Sequence, residues 1–162
     1  MLYRKFRDME IIGDEIEKIF HTWDYIKDIK GFFFNDLQKI DTQKDFQAFC
    51  AENVLDCCFV EKDGKIIYVS YIVITGFKSV AYCVYSDGAN NNISLSKDLN
   101  KIAIEYYKSR WNIDRFDCYV DTNNRISRFI IRVCGFKFLC IIPKFQLVNG
   151  VSTDYYYYIL EA

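Results

Sequence analysis

Proline and histidine are almost missing from this chain of 162 residues, which contains one of each. A single histidine, His21, leaves any Ser-His-Asp or Cys-His device one candidate base, and no nucleophile motif accompanies it. Paired cysteine patterns are missing as well. The seven cysteines stand at positions 50, 57, 58, 83, 118, 134 and 140, an odd number without a Cys-x-x-Cys pair or a Cys/His ligand spacing. That excludes a disulfide framework and a zinc site, and the cysteines read as small hydrophobes in a reducing compartment. No stretch approaches the roughly 18 uninterrupted apolar residues of a membrane span, and the charged start Met1 to Arg7 has no apolar segment behind it. The expectation is a soluble, cytoplasmic protein without a membrane partner. Charge of one sign is not in excess: a net charge of -1 and a pI of about 5.9 provide no global field for nucleic acid or an acidic membrane.

What the chain does have is apolar mass, 51% hydrophobic and 18% aromatic, enough for the core of one domain without staples. From Glu10 to Ile29 the residues Ile11, Ile12, Ile16, Ile19, Phe20, Trp23 and Ile26 recur at threes and fours, which predicts an amphipathic helix with Gly13-Asp14 as an internal start. Phe32-Phe33-Phe34 reads as a buried strand or a hydrophobic plug, and Asp45 to Asn53 as a short helix. From Leu55 the pattern changes. Cys57 to Glu61, Lys65 to Thr75 and Lys78 to Tyr85, with turns at Asp63-Gly64 and Gly76, predict an antiparallel meander.

A polar loop from Ser86 to Asn92 follows, then a helix opened by Ser94 or Ser96 and running to about Arg110. Arg115 to Val120 predicts a strand, Asn123 to Cys134 a helix stopped by Gly135, and Phe136 to Ile142 and Asp154 to Leu160 two final strands. This order gives an α+β class with a mixed, mostly antiparallel sheet flanked by helices. No linker, repeat or low-complexity tract divides it, so residues 1–162 are expected to form one domain, with a helical part at 1–54 and a sheet core at 55–162.

The segment from Asn124 through Ser127 to Gly135-Phe136 resembles the fourth-helix motif of the GNAT acyltransferases, Asn-x-x-Ala/Ser followed by a helix and then Gly-Phe. The strand after it, Asn149-Gly150, Asp154 and the terminal Tyr155 to Leu160 are similar to the way the ribosomal-protein N-terminal acetyltransferases end. By element order the resemblance covers about two thirds of the chain; by motif, the last third. It implies the GNAT fold, acetyl-CoA as cosubstrate, and acyl transfer to the amine of a small molecule or protein. It also extends to phage-encoded GNAT-like proteins. The alternative is therefore a catalytically inactive binding or virion-assembly module with a phage structural protein as partner.

In that family the pyrophosphate sits on a helix N-terminus behind an Arg/Gln-x-x-Gly-x-Gly/Ala loop, where free amides and the positive helix end hold the anion. Here the stretch is Gly88-Ala89-Asn90-Asn91-Asn92-Ile93-Ser94, without the Arg/Gln or either motif glycine. Two readings stand: a phosphate-facing turn, because Asn tolerates left-handed backbone, or a polar loop that caps a helix. The resemblance places Asn90, Asn91, Asn92, Ile93 and Ser94 at the pyrophosphate, the strand backbone near Tyr85 at the pantetheine, and Asn124 and Ser127 at the thioester end. The family's frequent general acid, a Tyr seven residues after the Asn, corresponds to Ile131, which has no proton to give. A catalytic residue is therefore not identified, and no metal is expected.

On a helical wheel, Ile126, Phe129, Ile130, Val133 and Cys134 form one face and Arg125, Arg128 and Arg132 the opposite one, with Ser127 and Ile131 on the border. The arginines read as a solvated face or as partners for a phosphate. Tyr155 to Tyr158 sends two tyrosines to each sheet face, for core packing or for an acceptor pocket. Asp154 reads as a base or as a turn residue. Arg110-Trp111 and Arg115-Phe116 are basic-aromatic pairs, and the net charge argues against reading them as a nucleic-acid surface.

Overall fold

The computed structural model describes residues 1–20, 22–28, 34, 36–86 and 92–162. His21, Phe32, Phe33, Asn90 and Asn91 therefore lie outside the described residues.

Among the described residues eight strands form one sheet: β1 (Leu2–Phe6), β2 (Met9–Gly13), β3 (Val54–Lys62), β4 (Lys65–Gly76), β5 (Ser79–Ser86), β6 (Arg115–Asp121), β7 (Lys137–Val148) and β8 (Val151–Glu161). Their spatial order is β1-β2-β3-β4-β5-β6-β8-β7. β1 to β5 form an antiparallel meander, and two of the sheet's hairpins turn on residues suited to positive φ. Asp63-Gly64 (φ 51° and 75°) joins β3 to β4, and Asn149-Gly150 (φ 50° and 73°) joins β7 to β8, each pair matching the right-handed strand twist. The β7–β8 turn is also capped from outside, because the Asp36 carboxylate accepts the amides of Asn149 (3.0 Å) and Gly150 (2.8 Å).

The N-terminal expectation of a helix from Glu10 to Ile29 is corrected. Met9–Gly13 is β2, and among the described residues of that stretch only α1 (Glu17–Phe20) and α2 (Trp23–Ile26) are helical, so 1–54 is not simply a helical part. Ile11 and Ile12 fit a helical spacing, but with Met9 buried and Glu10 exposed the same five residues suit a strand packed beside β3 equally well. α3 (Gln43–Asn53) is the expected short helix, opened by a capping box between Thr42 and Asp45.

Each sheet face has its own core. On one side α4 (Ile93–Arg110) and α5 (Arg125–Val133) cover Tyr68, Tyr82, Phe116 and Tyr158; on the other, α1 to α3 and Phe34 cover Phe59, Val69 and Tyr71. The end of α4 is pinned to β3 by buried Asp56, which accepts Arg110 Nε (2.8 Å), Trp111 Nε1 (2.8 Å) and the Tyr106 hydroxyl (3.2 Å). Arg110 and Trp111 thus serve the fold. Six of the seven cysteines are buried or half-buried, whereas Cys140 is exposed on edge strand β7 and departs from the expected core role. Among the described residues no helix is long and apolar enough to cross a membrane.

Candidate active site

The site begins where a strand pair comes apart. β5 and β6 are parallel neighbours, joined by the α4 crossover, but they pair only at Ser79↔Arg115, Val80↔Phe116 and Ala81↔Asp117. Beyond Ala81 the strands diverge, and the β6-facing edge of Tyr82 to Ser86 has no strand partner among the described residues. The fork is locked at its closed end by Asp117, almost fully buried, which accepts Thr75 Oγ1 (2.8 Å) and the Tyr157 hydroxyl (2.7 Å) and pairs with Arg115 (2.8 Å). Three strands, β4, β6 and β8, are tied together there, so the divergence above is a built feature rather than fraying.

A cavity of about 430 Å³ passes through the sheet at this fork. From the α4/α5 side it is lined by Tyr82, Asn100, Asn124, Ser127 and Ile131; from the other side, by Tyr119, Asp121, Phe145, Gln146 and Tyr155. α5 is placed by its caps. Asn124 Oδ1 accepts the Ser127 amide (3.1 Å), and Gly135 takes φ 98° after the last turn. Those two requirements explain why the Asn-x-x-Ser…Gly-Phe pattern suits this position.

The face α5 turns to the sheet is only partly the expected one. Ser127, Ile130, Ile131 and Cys134 point inward, with Ile131 only 2% exposed, while Ile126 and Phe129 are 58% and 52% exposed. Ile130 and Cys134 belong to both faces, and the apolar count placed the stripe partly off the mark because the inner stripe carries a serine where the cleft opens. Arg128 departs from the solvated-face reading, lying over the Tyr156 ring at 4.0 Å. Arg125 and Arg132 are exposed as expected.

Among the sequence-predicted site residues, Tyr85, Asn124 and Ser127 meet at this cavity. Tyr85 lines it with its side chain mostly turned away into the second core, where its hydroxyl bonds to Thr22 Oγ1 (2.9 Å). Asn92 is the N-cap of α4 in place of the expected Ser94 or Ser96; its side chain accepts the Leu95 amide (3.2 Å). Ile93 and Ser94 open the helix, exposed, and their amides have no intrahelical acceptor. Asp154 lies inside β8 and not at a turn, and its carboxylate accepts the Lys144 amide of the facing strand (2.9 Å). The two-per-face alternation holds, with Tyr158 in the α4/α5 core and Tyr155 in the cleft on the opposite face.

Sequence reasoning missed Phe145 and Gln146. Between Ile142↔Tyr155 and Gln146↔Thr153 strand β7 bulges, with Lys144 at φ 50°, and the bulge carries Phe145 back across β8 to stack on Tyr119 (4.9 Å between centroids). The available signal was Pro143, the one proline of the chain, since a proline inside a strand marks an edge or a bulge.

A forked parallel pair after an antiparallel meander, with a crossover helix starting above the fork and a second helix along it, defines the GNAT acyltransferase fold. Solved structures match it along nearly the whole chain. A ribosomal-protein-S5-alanine acetyltransferase from Vibrio fischeri superposes with a TM-score of 0.79 at 12% identity, covering 98% of this chain and 95% of that one. A spermidine N-acetyltransferase from Vibrio cholerae, solved with CoA and spermine, gives 0.77 at 13% identity, with 96% of each chain covered. An acetyltransferase of the GNAT family from Streptococcus pneumoniae gives 0.73 at 15% identity over 94% of this chain and 98% of that one. At sequence level no family model matches, and no curated protein does either.

Proposed function

We propose that this protein is an acyl-CoA-dependent N-acyltransferase that moves an acetyl group from acetyl-CoA to an amine. The fork between β5 and β6 carries the reading: it is a strand edge left without a partner beside a cavity open through the sheet, which fits an extended, amide-bearing arm. The backbone of Cys83 to Tyr85 would pair with the pantetheine amides. Residues 90–92 and the amides of Ile93 and Ser94, at the positive end of an 18-residue helix, would face the pyrophosphate. Asn124 and Ser127 would border the thioester end. Bound acetyl-CoA supplies an activated acyl group; the chain's own residues orient it and exclude water. The buried cysteines suit a reducing, cytoplasmic setting.

One observation favours a second reading, a binding or virion-assembly module without catalysis. Ile131 is buried at the position of the family's acid, and no proton donor replaces it on α5. Direct attack by a neutral amine on a thioester needs mainly orientation, however, so an aliphatic residue there is compatible with turnover.

Calorimetric titration with acetyl-CoA separates the two. The expected result is micromolar binding, abolished by Ser127→Trp, whose indole fills the cleft from a half-buried position. Absence of heat at millimolar acetyl-CoA would sink the acyltransferase reading.

A further inference from the structure

We infer that Gln146 and Tyr155 grip the acceptor amine, each offering it an oxygen. This rests on the acetyltransferase reading of the cleft. Tyr155 is 1% exposed, and neither its hydroxyl nor Gln146 Oε1 has a hydrogen-bond partner among the described residues, although both atoms are buried. Native interiors rarely leave such atoms alone, because each costs about 1–3 kcal/mol in lost hydration. Both residues line the same cavity, where a single ligand can supply the partner to both.

Their placement is built. Tyr155 sits between Asp121 on β6 and Ile142 on β7, on the sheet face away from α5. Gln146 is delivered by the β7 bulge, which the Asp154 carboxylate anchors at the Lys144 amide. Phe145, from the same bulge, packs against Tyr155 (5.3 Å) and Tyr119 (4.9 Å) and walls the site with rings. Bulges commonly re-aim a side chain beside an active site.

The chemistry selects an amine. Gln146 Oε1 only accepts, so its partner must bring an N–H or O–H. A neutral primary amine brings two N–H groups and keeps its lone pair for the thioester carbon. The Asp121 carboxylate in the cleft wall and the ring faces attract the ammonium form in which amines arrive. After that ammonium sheds a proton to water, nitrogen bonds to the acyl carbon and the carbon–sulfur bond breaks. The second proton lost by nitrogen balances the one sulfur takes up as CoA leaves as a thiol. Burial, and secondarily the Asp121 charge, push the Tyr155 hydroxyl up to about 12, so it stays protonated throughout.

The test compares the parent with Tyr155→Phe, Gln146→Leu and Gln146→Glu. Acetyl-CoA affinity is read by calorimetry, and thiol release is read with spermine, 2-phenylethylamine and a peptide with a free N-terminal serine. Acetyl-CoA affinity is expected to stay within about twofold in every variant. For whichever amine the parent uses, kcat/KM should fall about tenfold in Tyr155→Phe and Gln146→Leu, mainly through KM, and largely recover in Gln146→Glu, which keeps an acceptor oxygen. Unchanged kcat/KM in the first two variants, or acetyl-CoA binding by a parent that uses none of the amines, overturns the grip. A parent that binds no acetyl-CoA overturns the acetyltransferase reading instead.

Discussion

On the β5 side of the cleft the Tyr68 hydroxyl bonds to that of Tyr82 (2.7 Å), Tyr82 donates to Asn100 Oδ1 (2.7 Å), and Asn100 donates to the Ser96 carbonyl (2.6 Å). On the β8 side the Tyr155 hydroxyl and Gln146 Oε1 have no such partners. The two walls share aromatic chemistry and deep burial, yet one is a closed chain from β4 through β5 to α4 and the other is open. A closed polar chain fixes its elements and has nothing to offer a ligand. An open one costs stability until a ligand completes it, which is where stability and function are expected to trade against each other.

The largest expected effect breaks this contrast directly. Tyr82→Phe removes the middle link and leaves the Tyr68 hydroxyl and Asn100 Oδ1 buried without it, so unfolding free energy should fall by about 1–3 kcal/mol in urea denaturation. The same chemical change at Tyr155 deletes a hydroxyl that has no partner, and stability should be unchanged or rise by up to about 1 kcal/mol. Equal losses at the two positions would mean that the Tyr155 hydroxyl is satisfied in the free protein.

A smaller effect sharpens the account of the open wall. Asp154→Ala removes the acceptor that holds the Lys144 amide and so loosens the bulge without touching the cavity lining. The KM for the amine should rise about three- to tenfold, equivalent to about 0.5–1.5 kcal/mol, while acetyl-CoA affinity measured by calorimetry stays put.

The α5 end of the cleft was far more legible in the sequence than either of its walls. Asn124, Ser127 and Gly135 answer local backbone demands, a cap and a positive φ, and so did Asp63-Gly64 at its turn; such demands are written within a few residues. β2 was misread because Ile11 and Ile12 satisfy two periods at once, and only pairing with β3 chooses between them. The inward stripe of α5 likewise depends on the cleft it meets. Gln146 is a polar residue in an apolar edge strand, and its place in the site follows from the bulge, the Asp154 anchor and the fork, none of which acts through neighbouring positions alone. Pro143 marked the irregularity but not its direction.

The smallest expected effect is a pH dependence that tells the open wall from its surroundings. A tyrosine hydroxyl in an unfolded chain loses its proton near its ordinary value of 10.0, whereas burial, and then Asp121, holds that of Tyr155 up to about 12 in the folded protein. Between these values the folded state binds more protons than the unfolded one. The contribution is therefore fully present below pH 10, declines as pH rises, and is gone above about 12. Burial raises Tyr68, Tyr82 and Tyr107 as well, so the parent and every variant should lose stability in alkali. Tyr155→Phe should lose it less steeply than the parent, and a bound amine should flatten the parent's slope, because an N–H given to the Tyr155 oxygen favours its ionised form. Urea midpoints measured at steps across that window report both slopes. Coincident slopes for the parent and Tyr155→Phe would place the Tyr155 hydroxyl in water and close the distinction between the walls.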